Sequence, residues 1–163
     1  MRRNSGFTAF ELAVSMAIVA VIAAFVLPPY LQWLRGHRLR GAVTNLMGDL
    51  EMAKIRAIRE NDFVVVSFAE KSYTIFLDKT HNWDSGGETI IKTRTLPSGV
   101  QFDLDLLQFD NGTTPPLPPN DNYTRFNGRG LPDKITLETE IPLFNQTQSS
   151  SIFINRLGHM SLH

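Results

Sequence analysis

Hydrophobic residues are concentrated in one block near the N-terminus. The block runs from Phe7 to Leu27, and 18 of its 21 residues are apolar; the polar ones are Thr8, Glu11 and Ser15. As a helix rising about 1.5 Å per residue, it would be about 30 Å long, the thickness of a bilayer core. Apolar residues occupy every face, and the small-x-small site of a cleavable secretory signal is missing. A transmembrane helix half is therefore predicted over residues 7–29, after a leader of residues 1–6.

The next residues show a helical periodicity of a different kind. Between Tyr30 and Glu60, six apolar residues recur at spacings of three and four, which places them on one face of a helix. These residues are Leu39, Val43, Leu46, Leu50, Ala53 and Ala57. An amphipathic helix half is predicted over residues 30–61, and its apolar face is expected to pack on the protein's own sheet.

From residue 62 to residue 163 the pattern changes to short β-branched and aromatic runs separated by turn residues, which is typical of strands. Eight strands are predicted: Phe63–Phe68, Tyr73–Leu77, Thr89–Leu96, Val100–Leu104, Tyr123–Asn127, Lys134–Glu138, Ser151–Asn155 and His159–Leu162. They predict an all-β head of two packed sheets. The fold class is therefore α+β, a long N-terminal helix packed on a two-sheet globular head. The proline-rich segment 110–122 is predicted as an exposed loop, either a connector or a contact for a partner.

Glu11 is the unusual residue of the apolar block. An ionised carboxylate in the apolar phase costs at least a few kcal/mol and is normally kept only where it has a partner. The block contains no Lys, Arg or His. A pairing cation would have to come from elsewhere, for example from an α-amino group created by cleavage before Phe7. Alternatively, Glu11 lies at the membrane interface among the headgroups, and the residues alone leave both interpretations open.

The sequence Gly6-Phe7-Thr8, followed by Glu11 and a long apolar helix, resembles the class III signal of type IV pilins and type II secretion pseudopilins. The resemblance implies that a prepilin peptidase cuts after Gly6 on the cytoplasmic side and that Phe7 becomes the N-methylated first residue. It also implies that Glu11 pairs with the N-terminal amine of a neighbouring subunit during filament assembly. Pro28 falls where these proteins usually carry a helix-kinking proline.

The sequence departs from the usual form of this signal at two places. Ala9-Phe10 stands where a Leu-Ile or Leu-Val pair is usual, and Pro29 doubles the proline. Neither departure removes a reacting group, although Phe10 beside the carboxylate could alter how neighbouring subunits pack there.

The head resembles the H-type minor pseudopilins and the FimT-like minor pilins, the GspH/FimT family. The resemblance covers the helix segment Leu46–Arg59, the first strand pair, Leu96–Val100 and Ile152–Asn155 with Gly158. It implies a single-pass protein of the bacterial inner membrane, with a cytoplasmic N-terminus and a periplasmic head, that later enters the pilus or pseudopilus. Arg2 and Arg3 before the apolar block favour this orientation, since they lie closer to the membrane edge than the arginines beyond it.

Composition adds the distribution of charge along the chain. The 16 Lys and Arg balance the 16 Asp and Glu, which excludes an obvious polycationic nucleic-acid binder. Residues 30–60 carry six basic and three acidic side chains, a net of +3, and residues 61–163 carry eight and twelve, a net of −4. Arg35, Arg38 and Arg40 could contact anionic headgroups, pair with neighbouring subunits or remain solvated. With no cysteine, the chain has no disulfide and no cysteine nucleophile.

No catalytic constellation is recognisable in the sequence, and no enzyme activity, cofactor or metal is predicted. The four histidines, His37, His81, His159 and His163, lack metal-ligand spacing. Asp103 and Asp105 alternate on one side of a strand, which an exposed strand face explains better than a carboxylate pair. The oxygen-bearing residues of the proline-rich segment lack the spacing of a regular calcium loop; they are Asp110, Asn120 and Asp121.

Nucleic-acid binding would use the sparse cations near the end of the head. These are Arg125, Arg129, Arg156, His159 and His163. Because the head is net acidic, its affinity for phosphates is expected to be low.

The predicted function is that of a minor pilin or pseudopilin, a non-enzymatic subunit of a type II secretion pseudopilus or a type IV pilus. The implied partners are other pilin or pseudopilin subunits, the prepilin peptidase and the inner-membrane assembly platform. Two alternatives stay open. One is a monomeric membrane-anchored periplasmic binding domain, and the other is a DNA-receptor minor pilin of a DNA-uptake filament.

Overall fold

One α-helix, α1, extends from Ala9 to Glu60 in the computed structural model, which describes residues 8–81, 85–107, 122–133 and 138–162. The chain divides into two compact units, residues 1–35 and residues 36–163. In the first unit the large apolar side chains of α1 other than Leu34 are exposed, and Phe10 and Phe25 are 77% and 78% accessible. An apolar surface of this kind is unfavourable in water and suited to lipid or to other helices.

In the second unit, α1 buries the predicted apolar stripe. All six of its members have at most 3% exposure, namely Leu39, Val43, Leu46, Leu50, Ala53 and Ala57. The helix ends at Glu60 in a left-handed cap, because Asn61 has a φ of 51° and asparagine tolerates that conformation better than most residues. The N–H of Asp62 donates to the carbonyl of Ala57 (3.2 Å), which closes the cap and turns the chain back.

Eight strands follow α1 within the described residues. They are β1 (Phe63–Ala69), β2 (Ser72–Asp78), β3 (Thr89–Thr95), β4 (Gln101–Phe102), β5 (Tyr123–Phe126), β6 (Glu138–Phe144), β7 (Ser149–Asn155) and β8 (Met160–Leu162). The first sheet has the order β3-β2-β1-β5 and the second has the order β4-β6-β7-β8. All pairings are antiparallel.

The core joins the helix to both sheets. The buried stripe of α1 belongs to one hydrophobic cluster with alternate residues of the first sheet, such as Val64, Val66 and Ile75, and of the second, such as Ile141 and Ile152. Because successive side chains of a strand point to opposite faces, this alternation shows that each sheet turns one face to the cluster. The predicted α+β class, with a long helix on a two-sheet head, is therefore confirmed.

Each strand differs from its predicted bounds by at least one residue, and β6 and β4 differ most. The predicted strand Lys134–Glu138 lies outside the described residues except for Glu138, where β6 begins. The sequence failed to indicate β6 because Pro142 interrupts the run, and proline cannot donate to a ladder. The carbonyl of Pro142 accepts from the N–H of Asp103 (3.2 Å). Since N–H and C=O of one residue point to the same side, the missing N–H faces short β4, and the pairing with β7 stays complete over seven residues.

Strand β4 is shorter than the predicted Val100–Leu104. Directly after it, Oδ1 of Asp103 accepts from the N–H groups of Asp105 (3.2 Å) and Leu106 (3.4 Å). This local bonding replaces ladder hydrogen bonds and ends the strand. Of the predicted proline-rich loop 110–122, all but Asn122 lies outside the described residues.

Replacing either of two glycines by alanine is expected to change the stability of the protein, and the two changes should have opposite signs. A Cβ on Gly128 would lie 3.0 Å from the carbonyl carbon and 3.1 Å from the Cα of Asn61, so Gly128→Ala is expected to destabilise the head by about 1–3 kcal/mol. A Cβ on Gly48, in the middle of α1, would meet nothing within 4 Å. Gly48→Ala is expected to stabilise by about 0.4–1 kcal/mol. Urea unfolding of the detergent-solubilised chain measures both, and equal signs would contradict this packing.

Candidate functional site

The N-terminal end of α1 carries a reciprocal capping box. The N–H and the hydroxyl of Thr8 both donate to Oε2 of Glu11, at 2.9 Å and 2.8 Å. In return, Oγ1 of Thr8 accepts from the N–H of Glu11 (3.2 Å). The sequence Thr8-Ala9-Phe10-Glu11 is the S/T-x-x-E signature of such a box, which supplies partners for two of the unpaired N–H groups at a helix start. Glu11 thus has neutral donors on its own helix, although the apolar block contains no cation.

The capping box leaves part of the carboxylate available. Every hydrogen bond that the Glu11 side chain accepts within the described residues uses Oε2, whereas Oε1 has none there. A carboxylate offers about four acceptor sites on its two oxygens. Oε1 can therefore accept from a further donor, such as an ammonium group, without breaking the cap.

The other polar residue of the block is also satisfied locally. The hydroxyl of Ser15 donates to the carbonyl of Glu11 (2.7 Å). All three polar residues of the block thus bond to one another or to the helix backbone, as a segment in lipid requires. By length and composition α1 could cross a membrane, and its most apolar stretch near the N-terminus has no buried residue. The finding supports membrane anchoring through this segment.

The remaining residues of the predicted site divide into two groups. Gly6 and Phe7, the predicted processing residues, lie outside the described residues. Pro28 and Pro29 lie inside α1, which is assigned as one helix across both of them. The kink at Pro28 stays a prediction.

A buried ionic cluster that the sequence did not indicate ties α1 to the first sheet. Asp49 is 6% exposed and lies among the apolar residues of the stripe. Its Oδ2 accepts from the hydroxyl of Tyr73 (2.7 Å) and from Nε of Arg94 (2.9 Å), and its Oδ1 accepts from Nζ of Lys92 (2.7 Å). The partners come from β2 and β3, so this cluster holds the helix, β2 and an edge strand in one register.

The ionic cluster shifts two pKa values. Burial alone would raise the pKa of Asp49, but the hydrogen bonds from Lys92 and Tyr73 and the charge of Arg94 outweigh it, so the pKa is lowered. Burial, together with the hydrogen bond to Asp49, raises the pKa of the Tyr73 hydroxyl. The carboxylate therefore stays ionised, and the phenol stays protonated, through the physiological pH range.

One of the cations considered for nucleic-acid binding, Arg125, has its contacts inside the head. Nε of Arg125 donates to Oδ2 of Asp133 (2.7 Å), and its NH1 lies 3.7 Å from the buried carboxylate of Asp78. The guanidinium also lies 4.1 Å from the ring centroid of Phe63. Arg125 is therefore engaged inside the head, and His163 lies outside the described residues.

The other candidate ligand sites have local structural explanations. Asp103 caps its own turn instead of forming a carboxylate pair with Asp105. Among the described residues, no three His, Asp or Glu side chains are grouped as metal ligands would be; Asp110, Asn120 and Asp121 lie outside that part of the chain. A cleft of about 300 Å³ includes Asp62 and His81 in its lining, and these two groups are bonded to each other at 2.9 Å.

The comparisons with known proteins agree with this architecture. A sequence model of the family described as type II transport protein GspH matches residues 42–158. Among solved structures, the minor pseudopilin EpsH from the Type 2 Secretion System of Vibrio cholerae is 13% identical and has a TM-score of 0.53. The match covers 77% of this chain and 96% of that chain. None of the curated proteins matches the chain significantly.

The long N-terminal helix on two antiparallel sheets is the fold of a pilin-type subunit, and the likeness to EpsH shows that fold. Because the family match extends over well more than half of its residues, the chain belongs to the GspH family. The sequence-based identification as a GspH/FimT-like member of the pilin and pseudopilin superfamily is confirmed.

Proposed function

We propose that the chain is a minor pseudopilin, a structural and non-catalytic subunit of a type II secretion pseudopilus. The observation that carries the proposal is the N-terminal end of α1. There an apolar helix segment without buried residues holds one carboxylate, which is capped through Oε2 and has no hydrogen bond at Oε1 from any described residue. Membership of a family of type II transport proteins favours the secretion pseudopilus over a type IV pilus.

Processing would create a cationic partner for this carboxylate. Prepilin peptidase would remove residues 1–6 by cutting after Gly6, and the new N-terminal amine of Phe7 would be methylated. Oε1 of Glu11 would then accept from the amine of a neighbouring subunit. In a low-dielectric environment such a pair is strong enough to select docked over undocked subunits. Assembly would thus consist of the apolar helices of successive subunits packing together while the heads stay outside.

The proposal also implies a localisation and a membrane orientation for the subunit. Residues 7–29 would hold it in the inner membrane, with the N-terminus cytoplasmic and both residues 30–61 and the head, residues 62–163, periplasmic. The assembly platform and other pseudopilin subunits would be its partners there. A monomeric membrane-anchored binding domain would keep its leader, which separates that alternative experimentally.

Mass spectrometry of the protein purified from its own membranes tests the processing step. The expected mass lacks residues 1–6 and gains one methyl group, which fragmentation places on Phe7. Gly6→Val is the matched control and is expected to retain the full leader, because the bulkier side chain blocks cleavage. An intact leader in the unmodified chain would refute the processing step and favour the monomeric anchor.

A further inference from the structure

The charged side chains in and directly after the apolar block, beyond Glu11, are all positive. From Leu12 to Gly48 the sequence contains no Asp or Glu, and its Lys and Arg residues are Arg35, Arg38 and Arg40. The uncharged run from Leu12 to Leu34 is about 34 Å long as a helix, enough to cross a core of about 30 Å. The arginines follow this run within six residues, on the side where the polar headgroup layer begins.

Two aromatic side chains mark the same level of the bilayer. Tyr30 and Trp33 are stacked with their ring centroids 6.1 Å apart, and both are more than half exposed. Tyrosine and tryptophan are enriched where apolar chains meet headgroups, because their rings are apolar and their edges are polar. Their position before the arginines places the cations on the headgroup side of this boundary.

Arg38 and Arg40 keep most of their donors free within the described part of the chain. Both side chains are exposed. NH1 of Arg38 donates to the hydroxyl of Ser98 (3.1 Å), and Nε of Arg40 donates to the carbonyl of Gly36 (3.4 Å). Neither forms an ion pair with a described residue, in contrast to Arg56, whose Nε lies 3.2 Å from Glu60. A guanidinium has five N–H donors, so each can still bind a phosphate with two of them.

We propose that Arg38 and Arg40 bind the phosphate groups of anionic phospholipids and so fix the depth of the helix in the membrane. The lipid surface fits better than an acidic protein surface, because the neighbouring chain segment is itself the membrane anchor. This binding goes beyond the proposed role in assembly, since it needs neither processing nor a second subunit.

The test measures which lipid surrounds this segment in the full chain. Trp83 is replaced by phenylalanine, so that Trp33 is the remaining tryptophan. The protein is reconstituted in mixed vesicles in which either phosphatidylglycerol or phosphatidylcholine carries brominated acyl chains that quench tryptophan at contact. A preference for phosphatidylglycerol of roughly five-fold or more is expected, about the effect of one arginine at an anionic surface. It is expected to fall towards one in 1 M salt, where charges are screened beyond about 3 Å.

Matched variants locate the effect. Arg38→Gln with Arg40→Gln is expected to reduce the preference about five-fold or more, and the two lysine replacements are expected to retain most of it. The double variant Arg56→Gln with Arg59→Gln removes the same charge farther along α1 and is expected to leave the preference for phosphatidylglycerol unchanged. Glu11→Gln is also expected to leave this preference unchanged. Assembly can therefore fail while lipid preference persists.

The proposal is overturned by equal quenching from both lipids in the unmodified chain, which would favour an acidic neighbouring subunit as the partner. It is also overturned if the preference survives the Arg38 and Arg40 replacements, or is lost equally in the Arg56 and Arg59 variant. Should the glutamine variant not fold, the salt titration of the unmodified chain decides, because a preference that does not weaken in high salt would contradict phosphate binding.

Discussion

Glu11→Gln is expected to lower incorporation into filaments by about a hundred-fold or more, while processing at Gly6 continues. Breaking an ion pair in a low-dielectric environment by removing one charge costs about 3–5 kcal/mol. Glutamine is the suitable replacement because its amide oxygen can still accept from Thr8, and the capping box is known to tolerate Glu or Gln. The variant therefore removes the charge and preserves the helix start. Immunoblotting of sheared filaments against the membrane fraction measures the effect.

Thr8→Val is the matched control for the alternative that Glu11 acts only as a helix cap. Valine keeps the size of the side chain but deletes the hydroxyl that makes two of the three capping bonds. Loss of a cap costs about 0.5–2 kcal/mol, so incorporation is expected to fall by less than in Glu11→Gln. If Thr8→Val is impaired and Glu11→Gln is normal, the carboxylate serves the cap and the proposed pairing with a neighbouring amine is wrong.

Helices and strands were predictable from the sequence wherever one hydrophobic periodicity continued without interruption. The stripe that includes Leu46 and Leu50 is buried as its spacing of three and four requires, because side-chain direction in a helix follows from residue number alone. Strand β6 was missed at Pro142. A proline is tolerated within this strand only because its absent N–H faces short β4 and not β7. Which neighbour the N–H faces is a property of the assembled sheet.

The candidate site shows a similar division. The capping box was predictable from the sequence, since Thr8 and Glu11 have the order and spacing of its S/T-x-x-E signature. The sequence could not predict the partners of Asp49, because they lie 24, 43 and 45 residues away along the chain. The available signal was that Asp49 falls between Leu46 and Leu50 on the buried side of the helix.

Asp49→Ala is expected to destabilise the head by about 3 kcal/mol. Breaking a buried ion pair costs about 3–5 kcal/mol, and the lower end applies because the side chains of Lys92 and Arg94 remain about a third exposed and can turn to water. The Tyr73 hydroxyl is left buried without its acceptor. Glu51→Ala is the control on the same helix. Its carboxylate is 43% exposed and 3.7 Å from Lys54, so its removal should cost under about 1 kcal/mol.

The difference in the free energy of unfolding between Asp49→Ala and the unmodified chain should become smaller as the pH falls. The pKa of Asp49 is lowered in the folded state, below the value of about 3.9 that an unfolded aspartate has. The stability that the carboxylate contributes is therefore fully present above about pH 4 and is lost as the pH falls through the folded-state pKa. Urea unfolding of both proteins at a series of pH values measures this. The two stabilities should converge in acid, because the protonated carboxyl no longer attracts Lys92 and Arg94. A gap that stays constant below pH 4 would mean that Asp49 stabilises the head through packing and not through its charge.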